Sequence, residues 1–411
     1  MSVLIVNIGC AVGIAEGTTP LLRGAAMNET GQIQNAWILI EGDRISGFGS
    51  MDNVPQGSFD TIDAKGGWAF PSFCDSHTHI VYAGSREQEF EDKIRGLSYE
   101  DIAKRGGGIL NSAEGLRKIS ENELYEQSMI RVDEVIRKGT GAIEIKSGYG
   151  LSLESELKML RVIRRIAESV PLVVKSTFLG AHAVPAEFRG DKEGYVRLIC
   201  REMLPEIARE NLADYVDVFC DRGFFSVDDT ARIIDRAAEF GIKAKIHADE
   251  LALTGGTEIA VGKGAVSVDH LEQITENEMS FLAGGTTVPT ALPGASFFSN
   301  LPFAPVRQMI DYGIGPALAS DYNPGSSPSG DMRFIMSLGC IKMRMSPVEA
   351  FNATTVNGAH AMESAHLAGT ITVGKLANLF ITEPLPSLAF LPYAYITPLI
   401  RRIILKGQSI A

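Results

Sequence analysis

Through the middle of this chain, apolar residues fall into short runs, each followed by turn residues and then a stretch with helical spacing. The runs are Ala69–Cys74, Ala142–Lys146, Leu172–Leu179, Tyr215–Phe219, Lys243–His247, Ala265–Val268, Thr286–Pro289 and Pro316–Ala319. Between them lie amphipathic stretches. In Glu154–Glu168, residues Leu157, Leu160, Ile163 and Ala167 recur at helical spacing, and Arg232–Phe240 is a second example. Eight strands alternating with helices predict an α/β fold built on a parallel (β/α)8 TIM barrel. A doubly wound sheet is the alternative, but its glycine fingerprint is missing. Gly262-x-Gly264 is followed by Ser267 where the third glycine belongs, and it sits in a turn before a strand. The chain also lacks a Walker sequence, an H-E-x-x-H helix and a G-x-S-x-G elbow.

The two ends read differently. Residues 1–65 show short strands and turns, with Ala36–Ile40 leading into Glu41-Gly42-Asp43-Arg44. Residues 367–411 repeat the pattern, with Leu379–Ile381 and Ile400–Leu405 as apolar runs. Neither end is long enough to close a sheet alone. We expect them to pair into one small β-sandwich domain, with the barrel, residues 66–366, inserted between them.

Composition narrows the class. The 411 residues are 45% apolar and 21% charged, enough for a large core and a soluble surface. The net charge of −12 argues against nucleic acid or an acidic membrane as partner. Leu388–Leu405 is broken by Pro392, Pro398, Arg401 and Arg402, and no apolar stretch is long enough to span a membrane. The N-terminal run has no basic residue before Arg23, which favours a strand over a signal peptide. Five widely spaced cysteines without a C-x-x-C suggest reduced thiols in a cytoplasmic enzyme. Gly106-Gly107-Gly108 is either a surface loop or a lid over the barrel mouth.

The chemistry concentrates at strand ends. Of seven histidines, five (His77, His79, His182, His247 and His270) end or follow expected strands, and the C-terminal strand ends form the active-site face of a barrel. His77-Thr78-His79 places two imidazoles on one side of an extended chain, roughly 6.5–7 Å apart at the root. Together with His247 and Asp321 they offer three nitrogens and one oxygen to a single metal ion, with room for water. A bridged two-metal site is not expected, because Val218-Phe219-Cys220-Asp221 has no lysine at the end of the fourth strand and Lys146 ends the second. Singly, each residue has a plainer reading as a hydrogen-bonded polar group. As a set they are costly to bury without purpose.

The run Phe73-Cys74-Asp75-Ser76-His77-Thr78-His79, the later histidines and Ser320-Asp321 resemble the amidohydrolase superfamily. More specific are Ala83-Gly84-Ser85-Arg86, Glu144-Ile145-Lys146-Ser147-Gly148-Tyr149-Gly150-Leu151, Phe178-Leu179-Gly180-Ala181-His182, His247-Ala248-Asp249-Glu250 and Ser320-Asp321-Tyr322-Asn323-Pro324-Gly325-Ser326. The resemblance runs from about residue 30 to about residue 385. It implies the same barrel and sandwich, one zinc or iron ion on His77, His79, His247 and Asp321, and a possible homodimer. The implied reaction is hydrolysis of the ring C–N bond of 4-imidazolone-5-propanoate to N-formimidoyl-L-glutamate in histidine degradation. Arg86, Tyr149, His182, Glu250, Asn323, Gly325 and Ser326 are implied to hold substrate, and Glu250, His270 and Asp321 to carry the chemistry.

These roles suit the residue types. Asp321 can take a proton from water, His270 can stabilise an oxyanion, and Glu250 can shuttle a proton to the leaving nitrogen. Arg86 can clamp a propionate with two parallel bonds. The competing enzyme reading is an aminohydrolase of a purine, pyrimidine or guanidino compound, for which a carboxylate clamp has no use. A non-catalytic metal-binding protein would leave Glu250, His270 and Asp321 idle.

Overall fold

The computed structural model describes residues 2–97 and 107–410, so Gly106 of the glycine run lies outside the described residues. Two eight-stranded sheets organise them. One is parallel and follows chain order throughout. Its strands are Phe73–Asp75, Thr140–Lys146, Val173–Ala181, Tyr215–Cys220, Lys243–Ala248, Ser267–His270, Val288–Ala291 and Ala317–Leu318. The first and eighth meet at their C-terminal ends. There Thr78 bridges Tyr322 in parallel, the Asp321 N–H donates to the His77 carbonyl at 3.0 Å, and the His79 N–H donates to the Tyr322 carbonyl at 2.9 Å. The barrel is closed by the segments that carry its histidines.

Helices cover this sheet, and their starts are written locally. Ser120 and Ser226 form capping boxes with Glu123 and Asp229. The helix Leu153–Ser169 is capped by Ser152 and buries Leu157, Leu160 and Ile163 as expected. Its inner stripe continues through Ile166, while Ala167 is exposed.

The second sheet joins the chain ends. Ser2–Ile14 pairs antiparallel with Gly31–Glu41 and in parallel with Asp60–Asp63, and Leu379–Thr382 pairs antiparallel with Ile400–Leu405. Ala69–Pro71 links the two halves, antiparallel to Leu379–Thr382. The expected first barrel strand, Ala69–Cys74, is therefore two strands: its first half lies in the end sheet and only Phe73–Asp75 enters the barrel. The sheet has its own core, including Ile5, Ile8, Ile38, Ile40, Leu379, Ile381 and Ile404. An aromatic cluster joins it to the barrel. Phe380 stacks on Phe70 with ring centroids 5.3 Å apart and lies 5.1 Å from Phe73. Among the described residues, no helix is long and apolar enough to cross a membrane. The five cysteines are free thiols.

Candidate metal centre and active site

Five strand-end histidines converge at the mouth of the barrel. His77 lies with its ring centroid 5.2 Å from His79, 4.4 Å from His247 and 5.9 Å from His270, and His182 stacks on His79 at 5.4 Å. The other two histidines lie elsewhere: His360 bonds the Thr19 carbonyl, and His366 follows it in a turn. Backbone conformation at the mouth is unusual for side-chain-bearing residues. Asp249, His270, Leu271 and Asp321 all take positive φ, at 54°, 87°, 72° and 51°. Such conformations cost roughly 1–3 kcal/mol each and persist where surrounding structure imposes them.

His77, His79 and His247 each present a nitrogen within 4.8 Å of the others, all buried. Asp321 Oδ1 sits 3.5 Å from His77 Nε2 and 3.4 Å from His79 Nε2. Burial holds His77 and His79 well below the ordinary imidazole value, with Lys146 adding at His77 and His182 at His79. His247 is lowered too, by burial. Neutral imidazoles carry the lone pairs that a cation needs. His247 Nε2 is buried with no hydrogen-bond partner, a cost that a coordinated ion removes. The donor set fits one divalent ion.

Beneath the imidazoles lies a shell that the sequence reading missed. His77 Nδ1 is 2.6 Å from Asp269 Oδ2, and His247 Nδ1 is 2.9 Å from Asp217 Oδ2. These carboxylates turn each Nε2 toward the site. Lys146 Nζ lies between them, 2.8 Å from Asp217, 3.6 Å from Asp269 and 2.5 Å from Glu144. Lys245 completes the layer by pairing with Glu144 and donating to the Ser76 carbonyl at 3.0 Å. Every one of these five charged side chains is fully buried. Asp75 performs a related task, accepting from the Ser320 N–H at 2.9 Å and its hydroxyl at 2.5 Å, which ties the first strand to the eighth.

The groups expected to do chemistry sit around the histidines. His270 Nδ1 is 3.7 Å from both Glu250 Oε2 and Glu272 Oε2. Burial opposes charge on His270, but Glu250 and Glu272 outweigh it and raise the imidazole to about 10. These two carboxylates thus favour the protonated form of His270. Burial pushes Asp321 up to about 7 against the opposing pull of His270. The Glu250 backbone is fixed by its N–H on Asp221 Oδ2 at 2.8 Å.

The expected substrate residues line the same mouth. Tyr149 lies 5.9 Å from His79 and 5.4 Å from His182, ring to ring. His182 Nδ1 meets the Gly148 carbonyl at 3.0 Å, and burial, joined by His247 and Arg86, pushes this imidazole down to about 3. Arg86 pairs with Glu89 at 2.5 Å. Its guanidinium presses on Gly325, where a Cβ would come within 2.2 Å of Nη1. A larger residue there would have to displace the guanidinium end of Arg86. The turn after Asp321 is internally bonded: Asn323 Oδ1 accepts from the N–H groups of Gly325 and Ser326, each at 2.8 Å, and Nδ2 donates to the Asp321 carbonyl at 2.6 Å. Asn323 thus shapes the turn that carries Gly325 to Arg86.

A parallel barrel with histidines and an aspartate at its mouth defines a class. A family model described as "Amidohydrolase family" matches residues 68–402, and the chain belongs to that family. The family uses a metal, and the His77, His79 and His247 group fits a metal site. Proteins named imidazolonepropionase from Christiangramia forsetii and Flavobacterium johnsoniae are 50% and 51% identical over 411 residues, covering 100% of this chain and 100% of each relative. One from Geobacillus thermodenitrificans is 43% identical over 368 residues, covering 88% of this chain and 87% of its own. Within the family the chain groups with the imidazolonepropionases, and it is a hydrolase acting on a carbon–nitrogen bond. Among solved structures, guanine deaminase from E. coli matches with a TM-score of 0.75 at 14% identity, covering 100% of this chain and 99% of that one. An adenosine deaminase from Xanthomonas campestris with bound zinc matches at 0.73 and 15% identity, covering 99% and 92%. At that identity the likeness is one of fold.

Proposed function

We propose that this chain hydrolyses the ring C–N bond of 4-imidazolone-5-propanoate to N-formimidoyl-L-glutamate, a step of histidine degradation, with one zinc or iron ion held by His77, His79, His247 and Asp321. The observation that carries the reading is the convergence of three buried imidazoles and one carboxylate at the barrel mouth, with His270 beside them. It is supported by relatives of that name aligned over the whole chain. An ion held by this donor set would acidify a water molecule and so supply a nucleophile at neutral pH.

The chain's own groups do the rest. Asp321, raised to about 7, takes the proton of the attacking water. The water oxygen bonds to the ring carbonyl carbon. His270 donates to the carbonyl oxygen as negative charge develops there. The bond from that carbon to the ring nitrogen then breaks, and the proton that Asp321 took from water is relayed to the departing nitrogen, with Glu250, beside His270, as the shuttle. Arg86 holds the propionate through paired N–H groups, and Tyr149 and His182 flank the ring.

The test is turnover of imidazolonepropionate by the purified chain, with elemental analysis of the same sample and guanine as a parallel substrate. Formation of N-formimidoylglutamate with guanine untouched is expected. Turnover of guanine and none of imidazolonepropionate would overturn the proposal. Arg86→Ala separates the readings further. It is expected to lower kcat/KM for imidazolonepropionate strongly, and an unchanged value removes the clamp.

A further inference from the structure

The loop that carries Tyr149 is wrapped around a buried carboxylate. Glu156 lies in the first turn of the helix Leu153–Ser169 and is fully buried. Its side chain folds back to the segment between the second barrel strand and the helix. Oε1 accepts from the N–H groups of Gly150 and Leu151, each at 2.8 Å, and Oε2 accepts from the Gly148 N–H at 3.1 Å. Ser147, one residue earlier, accepts from the Leu179 N–H at 3.0 Å and so pins the start of the same segment.

The fit is tight enough to dictate neighbouring residues. A Cβ on Gly150 would lie 2.5 Å from the Glu156 backbone nitrogen and 2.8 Å from Oε1, and one on Gly148 would lie 2.9 Å from His182 Nδ1. Gly148 and Leu151 take positive φ, at 110° and 54°. A chain held in the left-handed region at Leu151 needs compensating contacts, and the three amide bonds to Glu156 supply them. Two consequences reach the site. Tyr149 is projected beside His79 and His182. The Gly148 carbonyl fixes the proton on His182 Nδ1, which leaves Nε2 as the acceptor.

We propose that Glu156 is a positioning residue for substrate recognition: it touches neither substrate nor metal ligand, and it sets the place of Tyr149 and the tautomer of His182 through the 148–151 loop. Taking substrate to be the carboxylate-bearing imidazolone, this rests on the function proposed above. Removing the carboxylate then weakens binding of the ring more than it slows the chemical step, because His247 and His270 end other strands and His77, His79 and Asp321 follow others again.

The experiment compares Glu156→Gln, Glu156→Asp, Tyr149→Phe and the Glu156→Gln/Tyr149→Phe double variant with the parent, all metal-loaded. Metal content and KM and kcat for imidazolonepropionate are measured for each. Gln keeps the size but loses one acceptor oxygen, and Asp keeps the charge but loses the reach, so one variant guards against a folding failure in the other. The expected result is unchanged metal content, a KM raised about tenfold or more, kcat within about threefold, and a double variant no worse than the worse single one. A KM within twofold of the parent for a folded Glu156 variant overturns the proposal, as does strict additivity with Tyr149→Phe or loss of metal. If the parent itself does not turn over imidazolonepropionate, it is the underlying function that fails.

Discussion

Lys146 shows what a single residue does here. Its ammonium is fully buried among Glu144, Asp217 and Asp269, two of which orient imidazoles. Removing a charge from such a group leaves its partners uncompensated, at a cost of roughly 3–5 kcal/mol. Lys146→Met is expected to lower metal affinity by about 10–100-fold, the range for lost supporting partners, measured by competition with a chelator. Unchanged affinity in a folded variant would show that the carboxylates hold the imidazoles without it. The pH dependence of metal binding follows from Asp321. Its carboxyl, raised to about 7, must lose its proton to accept a cation, whereas the site imidazoles are already neutral. Apparent zinc affinity is therefore expected to fall as pH drops through about 7 and to level off about one pH unit above it. Asp321→Asn should bind more weakly and lose that inflection. The first-rank residues were legible because histidines are few and gather at strand ends. The layer below was not: Asp217, Lys245 and Asp269 were given no role, and Glu144 entered only as part of a longer motif. Its signal was the position of those charges inside strands buried on both faces.

At the scale of elements, the helix Val356–Ala361 meets the first barrel strand through a glycine. A Cβ on Gly358 would fall 2.3 Å from the Cys74 carbonyl oxygen. Two effects compete in Gly358→Ala. Helix propensity favours alanine by about 1 kcal/mol, while forcing backbone apart in a close-packed contact costs about 1–3 kcal/mol. The contact is to backbone and cannot be relieved by a rotamer, so the net sign is destabilising. A fall in Tm of several degrees is expected in a thermal melt, and a rise would mean that helix and strand do not approach so closely. The alternation of runs and helices gave away the eight barrel strands, and most ends fell within two or three residues. The first strand was misread because Ala69–Cys74 was taken as one run, although Pro71-Ser72 interrupts it where the chain leaves one sheet and Phe73 enters the other.

At the scale of the molecule, the two sheets lock through Phe70, Phe73 and Phe380. The segment His77–His79 begins only four residues after Phe73, so the end sheet braces the candidate site from below. Phe380→Ala, fully buried, is expected to cost about 3–5 kcal/mol. Denaturant melts followed at both sheets test whether that loss is felt by the whole chain. The net charge of −12 opposes an anionic substrate at long range. Under the proposed function, recognition of the propionate falls to local positive charge at Arg86. The central claim is that one ion on His77, His79, His247 and Asp321 enables hydrolysis of imidazolonepropionate. The most direct measurement is turnover by chelator-stripped protein as zinc or ferrous iron is added back. Activity near zero at the start, rising linearly to a plateau at one ion per chain, is the predicted result. Full activity in the stripped protein, or a plateau only at two ions per chain, would contradict it.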